Sequence, residues 1–170
     1  MSPRPTQHVL DSAGSLQLPA RFQFTMLDAE DGSPVEGIAA TLTLFARMKN
    51  NYHLGLPLSD NRGYVVVTSK WVRAGIAFAR NLLIMDYAGG LDECQPVAVV
   101  EIMSTEEINR AVSAMRLYGL EQGAPGIAPT VEELLHASNK EYEPQKVSVL
   151  LNVPDVNLRC IELRLERAQG

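Results

Sequence analysis

Residues 69–90, SKWVRAGIAFARNLLIMDYAGG, are the stretch on which the fold turns. At ~100° per residue, one arc of a helical wheel collects Trp71, Val72, Gly75, Ile76, Phe78, Ala79, Leu82, Leu83 and Met85. The opposite arc holds Lys70, Arg73, Ala77, Arg80, Asn81 and Ile84. A wide apolar stripe with a basic outer face predicts a helix packed on a core, near 69–87. Ser69 is placed to cap its start, and Gly89 and Gly90 to supply the positive-φ residue that ends it. Strand-like segments flank it on both sides, so the helix is expected to pack on a sheet drawn from both halves of the chain.

Working outward, the segment 21–27 alternates, with Phe22, Phe24 and Met26 on one face and Arg21, Gln23 and Thr25 on the other. That is a half-buried strand. Residues 28–37, DAEDGSPVEG, are dense in turn formers, and 38–45 alternates again through Ala40, Leu42 and Leu44. Residues 47–57 read as polar and irregular. The turn SDNRG at 59–63 opens into the β-branched run 64–68. After the helix, 96–103 reads as a strand. Ser104 and Glu107 then form a capping-box pattern ahead of Ile108, Ala111, Val112 and Met115 at helical spacing, a helix ending near Gly119. QGAPGIAP at 122–129 excludes regular structure. Thr130 and Glu133 repeat the capping box and start a short helix, and two strands through Val147, Val149, Leu151 and Ile161, Leu163, Leu165 close the chain.

Composition bounds the class of protein. The 170 residues suit one domain, expected over 20–168 behind an N-terminal arm at 1–19, and 46% hydrophobic with 21% charged residues is ordinary globular content. The net charge of −5 is uneven: residues 1–85 carry 8 Lys/Arg against 6 Asp/Glu, whereas 86–170 carry 7 against 14. An acidic second half argues against non-specific binding to nucleic acid or to an anionic membrane. No segment has the apolar length of a membrane span, and the start lacks the apolar core of a signal peptide, which points to the cytoplasm. Cys94 and Cys160 lack the spacing of a metal site or a disulfide framework and are expected to be reduced.

The first half carries a recognisable pattern. Phe22 to Asp28, then Gly32-Ser33-Pro34-Val35-Glu36-Gly37, Leu42, and Ser59-Asp60-Asn61-Arg62-Gly63-Tyr64 resemble transthyretin-like and carboxypeptidase-regulatory-like β-sandwich domains. In those a strand ends in an acidic residue, a G-x-PV-x-G turn starts the next, and a D-x-x-G turn opens a third. Glycine permits the turn dihedrals, Pro34 fixes φ, and Val35 and Tyr64 lead back to the core. The resemblance covers about 21–68. It implies a binding, scaffolding or adhesive module. The branch that hydrolyses hydroxyisourate carries a histidine cluster, an arginine and a terminal Tyr-Arg-Gly-Ser; this chain closes Glu166-Arg167-Ala168-Gln169-Gly170, so that activity is not carried over. The helical segments at 69–87, 105–117 and 131–137 either are insertions in such a sandwich or reduce the resemblance to local hairpin chemistry.

Chemical motifs are sparse. His8, His53 and His136 are far apart and lack metal-ligand spacing, and no phosphate loop, nucleophile elbow or zinc-protease signature occurs. Asp86, Tyr87, Asp92 and Glu93 gather three carboxylates at the exit of the long helix, where they oppose the macrodipole. They read either as a solvated acidic loop or as a group that holds a cation or accepts hydrogen bonds from a partner. Trp71, the sole tryptophan, is either a core anchor or a ligand platform.

The expectation is therefore an α+β domain, a mainly antiparallel β-sandwich or sheet with three helical segments. It implies no cofactor and no metal. The function expected is that of a non-catalytic protein-binding, accessory or structural module, with a protein partner or a second copy of itself. The rival is a small hydrolase or metal-dependent enzyme using the acidic loop at 86–93 with a histidine from elsewhere.

Overall fold

The computed structural model describes residues 18–46, 51–83, 94–151 and 157–169. Among them seven strands and three helices form two facing sheets with helices at the margins, an α+β fold. The strands are β1 (Arg21–Asp28), β2 (Ala40–Ala46), β3 (Tyr52–Gly55), β4 (Tyr64–Thr68), β5 (Cys94–Ile102), β6 (Gln145–Leu150) and β7 (Leu158–Leu165). The helices are α1 (Ser69–Leu83), α2 (Thr105–Leu117) and α3 (Val131–Leu135).

One sheet has the order β4-β1-β7 and the other β3-β2-β5-β6. All pairings are antiparallel except β1 with β7. Each sheet combines strands from both halves of the sequence. Alternation decides which side chains face inward: Phe22, Phe24 and Met26 of β1 meet Leu42 and Leu44 of β2 and Ala98, Val100 and Ile102 of β5 in one core. The parallel neighbour β7 adds Leu163 and Leu165. Pro96 lies within β5 where the register with β2 shifts between Leu44 and Ala46, a bulge that spares the ladder the missing N–H.

α1 packs against β3 and β4, outer strands of different sheets, rather than lying on the face of one. The wheel nevertheless holds: Val72 and Ile76 are buried in the inter-sheet core, while Lys70, Arg73, Ala77 and Arg80 are exposed. Each buried aliphatic side chain of this size contributes about 1.5–3 kcal/mol. The cap is Thr68, not Ser69: Thr68 Oγ1 accepts the backbone N–H of Trp71 at 3.0 Å. The glycine exit expected at Gly89 and Gly90 lies outside the described residues.

The segment 47–57 contains a strand that its polarity concealed. β3 is four residues long, too short for alternation to announce it, and Tyr52 and Leu54 are buried while His53 faces out. Both capping boxes form. Ser104 Oγ accepts from Glu107 N at 3.1 Å and Glu107 Oε1 from Ser104 N at 2.9 Å; Thr130 and Glu133 repeat the pair at 3.1 and 2.9 Å. α2 ends in a Schellman turn, with Gly119 at φ +70° and Leu120 N–H donating to Met115 O at 2.7 Å. α2 and α3 share a second apolar cluster of Met103, Ile108, Val112, Met115, Val131 and Leu134 beside the main core. The short helix α3 stops at Leu135 rather than running to 137.

Of the expected N-terminal arm, only residues 18 and 19 are described, and Leu18 packs against the main core. Among the described residues no helix is long and apolar enough to cross a membrane.

Candidate functional site

Buried polar groups come first, because burial without a partner is costly. Asp28, at the end of β1, is 2% exposed. Its Oδ1 accepts the N–H of Glu30 at 2.8 Å, and its Oδ2 accepts the Tyr142 hydroxyl at 2.9 Å and Arg167 Nε at 2.8 Å. Arg167 also faces Glu30 at 2.7 Å and Asp31 at 3.4 Å. The Arg167 hydrogen bond, opposed by burial and helped by the N–H of Glu30 and the Tyr142 hydroxyl, holds Asp28 down at about 2. Burial first, and then Asp28, push Tyr142 up to about 12. Asp28 in turn raises Arg167, and the hydrogen bonds from Ser33 lower Asp31. With both carboxylate oxygens occupied by fixed donors, this cluster is a clasp. It ties β1 to the chain after β7 and has no proton to give near neutral pH.

Asn139 does the same work elsewhere. It is buried in a 3-10 turn, Asn139–Glu141; its Oδ1 accepts Ala39 N at 2.8 Å, and Nδ2 donates to Ala39 O and Met103 O, each at 2.8 Å. Ser59 Oγ accepts Ile38 N at 3.0 Å and donates to Val35 O at 2.7 Å. The turn residues of the first half are likewise absorbed by the backbone. Asp60 Oδ1 accepts from Arg62 N and Tyr64 N, each at 2.9 Å, and a Cβ on Gly63, at φ +79°, would collide with the carbonyl oxygen of Met26.

Two hollows lie on either side of Leu134. The first, about 350 Å³, is of mixed polarity and half open; His136, Lys140 and Asn109 line it beside Ile108 and Leu135, with Thr105 at the start of α2. His136 Nδ1 stands 2.9 Å from the carbonyl oxygen of Glu132. A carbonyl only accepts, so Nδ1 is the donor in this contact. The second hollow, about 310 Å³, is apolar and likewise open to solvent on one side. Thr41 and Gly55 bound it from the sheet, Ala111, Ala114 and Met115 from α2, and His53 stands on its wall with Nδ1 3.1 Å from Thr43 Oγ1.

The outer face of the four-stranded sheet continues from this second hollow. Val97 and Leu150 are directly paired across β5 and β6 and are 42% and 49% exposed. Val99, paired with Thr43, and Phe45 are half-buried beside them, and Glu101 and Lys146 form an ion pair at 3.6 Å farther along the same two strands.

Of the residues singled out in the sequence, Trp71 is half-buried on α1 and packed against the main core. Asp86, Tyr87, Asp92, Glu93 and His8 lie outside the described residues. His53 and His136 line different hollows. Among the described residues no three His, Cys, Asp or Glu side chains gather as a metal site would require. Cys94 is buried at the start of β5 and Cys160 is exposed on β7. Neither the Asp28 clasp nor the apolar hollow was read from sequence, since each joins residues distant in the chain. An acidic residue closing β1 was the one available signal for the clasp.

No family model matches the sequence, and no curated protein matches it. Solved structures give distant likenesses. (S)-allantoin synthase aligns with 89% of this chain and 45% of its own at 10% identity and a TM-score of 0.40. A 9R-lipoxygenase from Cyanothece PCC8801 aligns over 88% and 16% at 10% identity and TM-score 0.35. Fervidolysin from Fervidobacterium pennivorans, a keratinolytic enzyme related to subtilisin, aligns over 87% and 16% at 9% identity and TM-score 0.35. The chain spans less than half the length of each, and similarity at this level carries no functional argument.

Proposed function

We propose that this chain is a non-catalytic protein-binding module of transthyretin-like type, acting in the cytoplasm through the outer face of its four-stranded sheet. The observation that carries the reading is the exposed pair Val97 and Leu150, opposed on β5 and β6 and flanked by Val99 and Phe45. The solvated face of an antiparallel sheet is ordinarily polar, and contiguous exposed apolar side chains mark interaction surfaces. The turn chemistry around Asp28, Asp60 and Gly63 supports the transthyretin-like assignment.

A second copy of the chain is the partner that this face fits best. Glu101 and Lys146 lie on the same face as the apolar pair and neutralise each other at 3.6 Å, so no net charge on these strands opposes the approach of a second copy. Size-exclusion chromatography with light scattering, from micromolar to millimolar protein, tests this. A dimer is expected, dispersed by Val97→Lys with Leu150→Lys; a strict monomer throughout overturns the self-association.

The rival, a small hydrolase, draws on His136, which lines the first hollow and is held through Nδ1 by the carbonyl of Glu132. Hydrolysis of a small activated ester that His136→Gln abolishes would move the reading to that class.

A further inference from the structure

We propose that the apolar hollow between α2 and the four-stranded sheet is a binding site for a small amphiphilic carboxylate. Its apolar tail lies under α2 and its head group meets His53. The inference goes beyond the protein-binding face and does not depend on it.

The volume is the first ground. At about 310 Å³ the hollow lies at the lower end of the range of small-molecule sites, roughly 300–1,000 Å³. The hollow opens to solvent past His53 and Ala114, both exposed, and its volume suits a tail of roughly eight carbons with the head group at the mouth. Small side chains produce the space. Ala111 and Ala114 occupy the helix positions above it, and Gly55 the strand position below; larger residues there would close it by ordinary helix-on-sheet packing. The end wall is held by backbone. Gly55 N–H donates to Gly126 O at 2.8 Å and Ala128 N–H to Gly55 O at 2.9 Å, fixing the loop that carries Ile127 and Pro129. Met103 and Met115 supply flexible, polarisable surface that adapts to a chain or a ring.

The chemistry of the wall selects the head group. His53 is the one titratable side chain among the described residues that line the hollow; Glu101, cross-strand from Thr41 on β5, is neutralised by Lys146 at 3.6 Å. A cationic ligand therefore meets only a carboxylate already paired with a lysine. An anionic oxygen meets an imidazole donor and the hydroxyl of Thr41. The contact of Thr43 Oγ1 with Nδ1 at 3.1 Å holds the ring and leaves Nε2 for the ligand. Thr43 is itself buried, so the pair is anchored in the sheet.

Calorimetric titration of the full-length protein with octanoate and with 1-octanol tests the site. Octanoate is expected to bind at one saturable site, about tenfold or more tighter than octanol, the gain of a charge-assisted hydrogen bond. Ala111→Leu is expected to abolish saturable binding of both with the far-ultraviolet circular dichroism unchanged. Ala114→Leu fills the hollow from a second position and serves should the first variant fail to fold. His53→Ala is expected to retain octanol binding and erase the preference for octanoate. Absence of saturable octanoate binding, binding that neither filling variant reduces, or octanol binding as tightly as octanoate overturns the proposal.

Discussion

Gly75 of α1 and Gly126 of the loop after α2 meet backbone to backbone. A Cβ on Gly75 would stand 2.7 Å from Gly126 Cα and 2.9 Å from Leu54 Cδ2, so two glycines let the helix, the loop and β3 converge. Because that loop is hydrogen-bonded to β3 through Gly55, the contact also positions the end wall of the apolar hollow.

Substitution at this contact is therefore expected to cost more than helix propensity returns. Gly75→Ala gains about 1 kcal/mol as a helical alanine but forces backbone apart, a loss of about 1–3 kcal/mol. Gly126→Ala adds strain at φ +83° and is expected to be the worse of the two. Thermal unfolding of both variants checks this; unchanged midpoints would refute the close approach.

The Asp28 clasp predicts a pH dependence with a definite sign. Asp28 is depressed to about 2 in the folded state from an ordinary value near 3.8. Its contribution is present in full above about pH 4 and is lost as pH falls toward 2. Tyr142 is raised to about 12, so its contribution is present below its ordinary value near 10 and is lost as pH rises from there toward 12. Asp28→Asn is expected to lower the neutral-pH midpoint by the order of 5 °C and to flatten the acid limb of a plot of midpoint against pH. Tyr142→Phe is expected to flatten the alkaline limb instead.

Asn139 satisfies three buried backbone groups at once, both those of Ala39 and the carbonyl of Met103. Asn139→Ala is expected to lower the unfolding free energy by about 2–4 kcal/mol in a urea titration. Asn139→Asp is expected to lower it further, since a carboxylate would oppose two carbonyl oxygens.

The two capping boxes offer a matched comparison. Ser104→Ala and Thr130→Ala each remove one side-chain acceptor, worth about 1 kcal/mol. Ser104 begins the longer helix, which roofs the apolar hollow, so Ser104→Ala is expected also to weaken octanoate binding, whereas Thr130→Ala is expected mainly to lower the midpoint.

Much of the architecture was legible because it is written in local periods. Phe22, Phe24 and Met26 alternate and are buried; Val72 and Ile76 recur at helical spacing and enter the core; Ser104 and Glu107 announce a helix start and form it. β3 was not legible, because four residues with one histidine and a terminal glycine carry too little alternation to stand out from a loop. Nor was the cap at Thr68: Ser69 is the cap that the sequence suggests, but the helix already includes Ser69 and its cap lies one residue earlier. The hollow beside His53 had no sequence signal, since Thr41, His53, Ala111 and Ala114 are ordinary residues singly.

By itself, then, the sequence determined the strand faces, the helix with its buried stripe, the turn glycines and the α+β class. These depend on dihedral preferences and on side-chain periods that neighbouring residues set. Only the tertiary structure decided that β1 pairs in parallel with β7, that α1 spans the outer strands of two sheets, and that Asp28 is clasped by Arg167. It alone placed Val97 against Leu150 on an exposed face and opened a hollow over Thr41. Those features arise from contacts between residues far apart in the chain, whose geometry is set by how the two sheets and three helices share one core.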